Sequence, residues 1–123
     1  MPRRPILVVD DDPENLRLAR LVLQPLGLPI ATAASAEAAW TRIRRSRPRL
    51  VLTDVQLPGM SGLELAERIK AHPSTCRIPV VAVSGSASKR DRDQARAAGC
   101  DAFVATPINA RSFPRAVARL LAD

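Results

Sequence analysis

The chain has 123 residues, 46% of them hydrophobic, which fills one core of ordinary size and leaves no room for a second folded module. Two cysteines, Cys76 and Cys100, no apolar run long enough to span a bilayer and an N-terminus without a signal-peptide core set the expectation of a soluble, reducing, cytoplasmic setting without membrane insertion. The charge of +7 is spread over a surface more basic than that total, because four acids crowd the span from Asp10 to Glu14; this favours acidic partners, while one Trp, two Phe and no Tyr give nucleic-acid bases little to stack on.

In chain order, a strand is predicted over 5–9, where Ile6-Leu7-Val8-Val9 is too short for a helix and uniformly apolar, as in a strand buried on both faces. It runs into Asp10, Asp11 and Asp12. Asp12 before Pro13 suits an N-cap and first helical residue, opening a helix over 13–26. A strand over 29–33 and a helix over 35–46 follow. Trp40 reads as helix packing, and the arginine-rich stretch from Arg42 to Arg49 as a solvated helix end whose dipole favours cations.

The third strand, 49–54, carries Leu50-Val51-Leu52-Thr53 and ends in Asp54; a Pro-Gly loop then leads to a helix over 61–71, with capping-box spacing from Ser61 to Glu64. His72 precedes Pro73 without an acidic or metal-binding companion and reads as a surface residue. The fourth strand, 78–83, leads into Ser84-Gly85, a hydroxyl beside uncrowded backbone N–H groups. A helix over 88–98, capped by Ser88 with Asp91, a strand over 101–104 and a helix over 109–121, with Asn109 placed to cap it, complete the pattern. On the last helix Phe113, Ala116, Val117, Leu120 and Leu121 share one stripe, opposite Arg111, Arg115 and Arg119.

Five strand-helix units of this length predict an α/β domain with a doubly wound parallel sheet, helices on both faces and ligands at the carboxyl ends of the strands. The first and third strands then end side by side, bringing Asp10 and Asp11 to Asp54. Carboxylates about 5 Å apart repel by roughly 3 kcal/mol at an effective dielectric of 20, so the cluster needs a cation or a proton. An all-oxygen site points to Mg2+, which binds through one or two carboxylates plus phosphate oxygens and leaves Asp54 oriented as a nucleophile toward a phosphoryl group. Cys76 and Cys100 are too isolated to form a metal site.

With these motifs in place, the chain resembles the receiver domains of two-component response regulators over essentially its whole length. The resemblance implies a five-stranded sheet of flavodoxin-like order 2-1-3-4-5 and a single receiver, residues 1–123, with no output domain. By position, Asp54 resembles the phosphoacceptor, Asp11 a direct Mg2+ ligand and Asp10 a second acid acting largely through water. Gln56 matches the metal-binding backbone carbonyl, Ser84 the switch hydroxyl and Phe103 the switch aromatic. Ile78-Pro79-Val80-Val81-Ala82-Val83 and Gly99-Cys100-Asp101-Ala102 are similar to stretches of free-standing cell-cycle regulators and of hybrid-kinase receivers. One position departs: Thr106 stands where the family has a lysine, so the phosphate clamp lacks its cation. The Thr106–Pro107 bond resembles the family's cis linkage.

The function expected from this resemblance is a phosphorelay signalling module, not an enzyme acting on a separate substrate. A histidine kinase or histidine phosphotransfer protein would supply the phosphoryl group, and a downstream protein, favoured to be acidic, would read the result. The alternative is a phosphorylation-independent pseudo-receiver adaptor, because of Thr106. A phosphohydrolase is disfavoured by the missing cap domain and lysine, and a flavin or nucleotide carrier by three aspartates where a phosphate loop is needed.

Overall fold

The computed structural model describes residues 4–86, 88–106 and 108–122. Five parallel strands, β1 (Ile6–Val9), β2 (Ile30–Ala33), β3 (Leu50–Asp54), β4 (Val80–Ser84) and β5 (Ala102–Ala105), form one sheet in the order β2-β1-β3-β4-β5. The helices are α1 (Pro13–Leu23), α2 (Ala36–Ser46), α3 (Gly62–Ala71), α4 (Lys89–Ala97) and α5 (Ser112–Ala122). This is the predicted doubly wound α/β architecture and strand order.

Alternation along the strands divides the core between the faces of the sheet. Leu7, Val9, Val51 and Val80 meet Ala39 and Ile43 of α2 and Leu65 and Ile69 of α3. Ile6, Val8, Leu50, Leu52 and Val81 meet Ala19 and Leu23 of α1 and Phe113 and Val117 of α5. The three central strands, β1, β3 and β4, are apolar up to their carboxyl ends, where Thr53, Asp54 and Ser84 stand, because both of their faces are covered.

Local chemistry sets the element ends. The Oδ1 of Asp12 accepts from Glu14 N at 2.9 Å, Ser61 Oγ from Glu64 N at 3.1 Å and Ser88 Oγ from Asp91 N at 3.1 Å, so three of the four predicted N-caps form at the start of their helices. Several boundaries differ from the prediction. The first helix stops at Leu23 and continues as a 3-10 turn over Gln24–Leu26, because Pro25 has no N–H to donate and its ring crowds the preceding turn. The last helix begins at Ser112, since Asn109 Oδ1 holds Arg111 N at 2.9 Å and Ser112 N at 3.0 Å in a turn that precedes it. On α5, Phe113 and Val117 are buried and Ala116 is exposed, so the apolar stripe is narrower than predicted. Pro107, and with it the geometry of the Thr106–Pro107 bond, lies outside the described residues.

Candidate functional site at the carboxyl edge of the sheet

Parallel register brings the acids together. Val9 pairs with Thr53, so the next residues, Asp10 and Asp54, leave neighbouring strands side by side. One carboxylate oxygen from each of Asp10, Asp11 and Asp54 lies within 4.8 Å of the others. Asp12 stands apart, committed to capping α1.

Backbone donors orient two of these carboxylates. Asp10 Oδ1 accepts from Asp12 N at 2.9 Å, and Asp54 Oδ1 from Gln56 N at 3.1 Å. Burial pushes the carboxyls of both Asp10 and Asp54 above the ordinary aspartate value, and the negative charges of neighbouring aspartates add to the rise. The trio is therefore short of positive charge. Hard oxygen donors at this spacing fit a divalent cation of the magnesium type, whose charge would offset the repulsion among the three carboxylates.

The acids open onto a crevice of about 800 Å³ whose lining includes Asp10, Asn15, Asp54, Gln56, Ser84, Gly85 and Thr106. No Lys, Arg or His is among its described lining residues. Ser84, 4% exposed at the end of β4, accepts from Ser86 N at 3.1 Å through Oγ. Thr106 N donates to Ser84 O at 2.9 Å, and the Thr106 hydroxyl lies 3.5 Å from the same carbonyl. The rest of the described lining is largely apolar and includes Leu18, Ala19 and Val22 of α1 together with Leu52 and Ile108.

Phe103 is placed differently. It is half-buried on β5, outside the crevice lining, with the Arg92 guanidinium of α4 at 5.7 Å from its ring centroid.

Two site features escape the sequence reading. Asn15 lines the crevice, with a side-chain hydrogen bond that lowers the Asp10 carboxyl against the stronger effect of burial. Its position on the first turn of α1, directly after the acidic run, is the signal that places it there. Glu37 of α2 accepts from Met60 N at 3.2 Å through Oε2 and so ties down the loop after Asp54. A Cβ at Gly59 of that loop, whose φ is +76, would lie 2.6 Å from the same oxygen. A contact between residues 23 positions apart leaves no local sequence trace.

Residues 6–118 match the response regulator receiver domain family, and the chain belongs to it. Receivers of this family are signalling proteins of two-component systems, which bind Mg2+ in an acidic site and exchange signals with histidine kinases or phosphotransfer proteins and downstream effectors. Among curated relatives, the polar-differentiation response regulator DivK of Brucella anthropi is 32% identical over 123 residues, covering 100% of this chain and 99% of that protein. A putative response regulator from Chloroflexus aurantiacus superimposes with a TM-score of 0.93 at 29% identity, covering 98% of this chain and 99% of that one. The receiver domain of a sensor histidine kinase from Pseudomonas aeruginosa, solved with a magnesium ion coordinated in its active-site cleft, gives 0.89 at 26% identity, covering 98% and 99%. No helix among the described residues is long and apolar enough to cross a membrane.

Proposed function

We propose that this receiver accepts a phosphoryl group on Asp54 from a phosphohistidine donor, with Mg2+ held by Asp10, Asp11, Asp54 and the Gln56 backbone carbonyl, and signals through protein contact. The observation that carries this reading is the meeting of the Asp10, Asp11 and Asp54 carboxylates within 4.8 Å at the mouth of a crevice.

In the proposed step an ionised Asp54 oxygen attacks phosphorus, the P–N bond of the phosphohistidine breaks, an acyl phosphate forms and the departing imidazole takes up a proton. The hydrogen bond from Gln56 N holds one Asp54 oxygen, which leaves the other to attack. Mg2+, when bound, supplies the positive charge that keeps Asp54 ionised and offsets the phosphoryl oxygens. Ser84 is the switch hydroxyl: its Oγ accepts from Ser86 N, so its own proton can be donated to a phosphoryl oxygen. Phe103 is the aromatic whose movement transmits the change, and leaving its half-buried position would take it from beneath Arg92. Thr106 offers one neutral hydrogen bond where a lysine would offer a charge-assisted one, worth roughly half as much.

The test is incubation with Mg2+ and acetyl phosphate, followed by intact mass, with beryllofluoride binding as a stable check. One added phosphoryl group is expected in the natural chain and none in Asp54→Ala, with a changed rate or lifetime in Thr106→Lys. Failure of phosphate and beryllofluoride to bind, with both restored by Thr106→Lys, would replace the proposal with a phosphorylation-independent adaptor.

A further inference from the structure

The amino-terminal edge of the sheet, opposite Asp54, carries a second concave site. Three strands adjacent in the sheet are each entered through arginine: Arg4 precedes β1, Arg47 and Arg49 precede β3, and Arg77 precedes β4. Their approaches are in step, since Arg49 N donates to Pro5 O and Val51 N to Pro79 O, each at 2.9 Å. All four arginines line one pocket of about 380 Å³, with no Asp or Glu among its described lining residues. The two ion pairs found among the described residues, Arg17 with Glu14 and Lys70 with Asp101, involve none of them.

The dipole of α2 accounts for only part of this arginine-rich stretch. Arg44 and Arg45 occupy the last turn of the helix, and Arg44 turns to the Trp40 ring, 5.8 Å from its centroid. Arg47, at φ 45, holds a left-handed backbone that costs a non-glycine residue about 1 kcal/mol or more, and leads through buried Pro48 to Arg49. Arg4 and Arg77 come from other segments altogether. Leu120 and Leu121 of α5 supply an apolar wall.

We propose that this pocket binds a small anion carrying two or more phosphoryl groups. Guanidinium forks match phosphate oxygens in pairs, and four converging cations suit a polyanion better than a single carboxylate. The pocket is an open concavity whose volume falls within the ordinary range for small-molecule sites, a size that suits a compact ligand over an extended acidic peptide. The site is separate from the phosphoacceptor and stands or falls independently of that reading.

The experiment is calorimetric titration of the whole chain in EDTA, which keeps phosphates from being drawn to the carboxylates by a metal. Probes are pyrophosphate, ADP, orthophosphate, acetate and hexaglutamate. Pyrophosphate is expected to bind about tenfold or more tightly than orthophosphate or acetate, with affinity falling as salt rises. Arg49→Gln combined with Arg77→Gln should weaken it by about tenfold or more, while Arg115→Gln and Asp54→Ala leave it unchanged. Tighter binding of ADP than of pyrophosphate assigns the site to a nucleotide, and the reverse to inorganic polyphosphate. Should the double variant fold poorly, pyrophosphate-induced amide shifts at Arg49, Ser74 and Arg77 of the natural chain give the same answer. Equal affinity for every anion, tighter binding of hexaglutamate, or amide shifts confined to other regions would overturn the proposal.

Discussion

Asp10 is 9% exposed and sits beside two other carboxylates, and its charge costs the fold free energy until a cation arrives. Burial first, then its aspartate neighbours, raise its carboxyl above the unfolded value of 3.8, and Asp54 is raised in the same way. A raised carboxyl means that the native state binds its proton more tightly than the unfolded chain does. The stability this confers is fully present below the unfolded value and is lost as pH rises through the folded one. Asp10→Asn keeps an oxygen for Asp12 N and removes the charge. It should stabilise the metal-free protein at pH 7 and raise its Tm, with the gain fading as pH falls. Mg2+ should raise the Tm of the natural chain and do much less for the variant. Thermal melts from pH 7 downward, with EDTA or Mg2+, check both expectations; a variant less stable than the natural chain in EDTA at pH 7 would refute the electrostatic account.

At the scale of elements, the start of α3 bears directly on the site. A Cβ at Gly62 would collide with Asp54 O and lie 2.9 Å from Val55 Cα, both backbone atoms that cannot swing aside. Gly62→Ala is therefore expected to cost about 2–4 kcal/mol in urea titration and to weaken cation binding, because β3 must shift where it carries Asp54. The entry to β4 depends on Asp101, whose Oδ2 accepts from Lys70 Nζ at 2.9 Å and from Val80 N at 2.8 Å. Asp101→Ala should cost about 2 kcal/mol and Asp101→Asn less, since the amide oxygen still serves Val80. Equal losses in urea titration would mean that the backbone bond contributes little. These two examples mark what was legible in the chain and what was not. Ser61 announces its helix because a cap acts over three residues, whereas Asp101 reads only as a strand start until folding brings Lys70 from 31 positions away. The strand predicted over 101–104 runs over Ala102–Ala105.

For the molecule as a whole, the fold was readable because the strands are short and mostly aliphatic and four of the five helices carried a start signal that was read from the sequence, so that local preference and tertiary packing agree. Asp10, Asp11, Asp54 and Ser84 were readable as a group because parallel topology gathers strand ends at one edge, whereas Thr106 stood out only through the resemblance to the family. Asn15 and Glu37 were less readable, since their roles arise from contacts across elements. Thr106 has a further consequence, for the direction of phosphate flow. With one divalent cation bound, three ionised carboxylates would leave the site with a residual negative charge that no Lys, Arg or His among the described lining residues of the crevice offsets. If Asp54 is the acceptor, its phosphoryl group is held in an opposing field and has a high group-transfer potential. The chain then resembles a charged capacitor that readily discharges to the next histidine rather than a store that keeps its load. In an equilibrium mixture with a phosphotransfer partner, Thr106→Lys should move the balance toward the phosphorylated receiver by about tenfold, the effect of one added cation at a partly exposed site. An unchanged partition would show that the missing charge does not govern which way the phosphate runs.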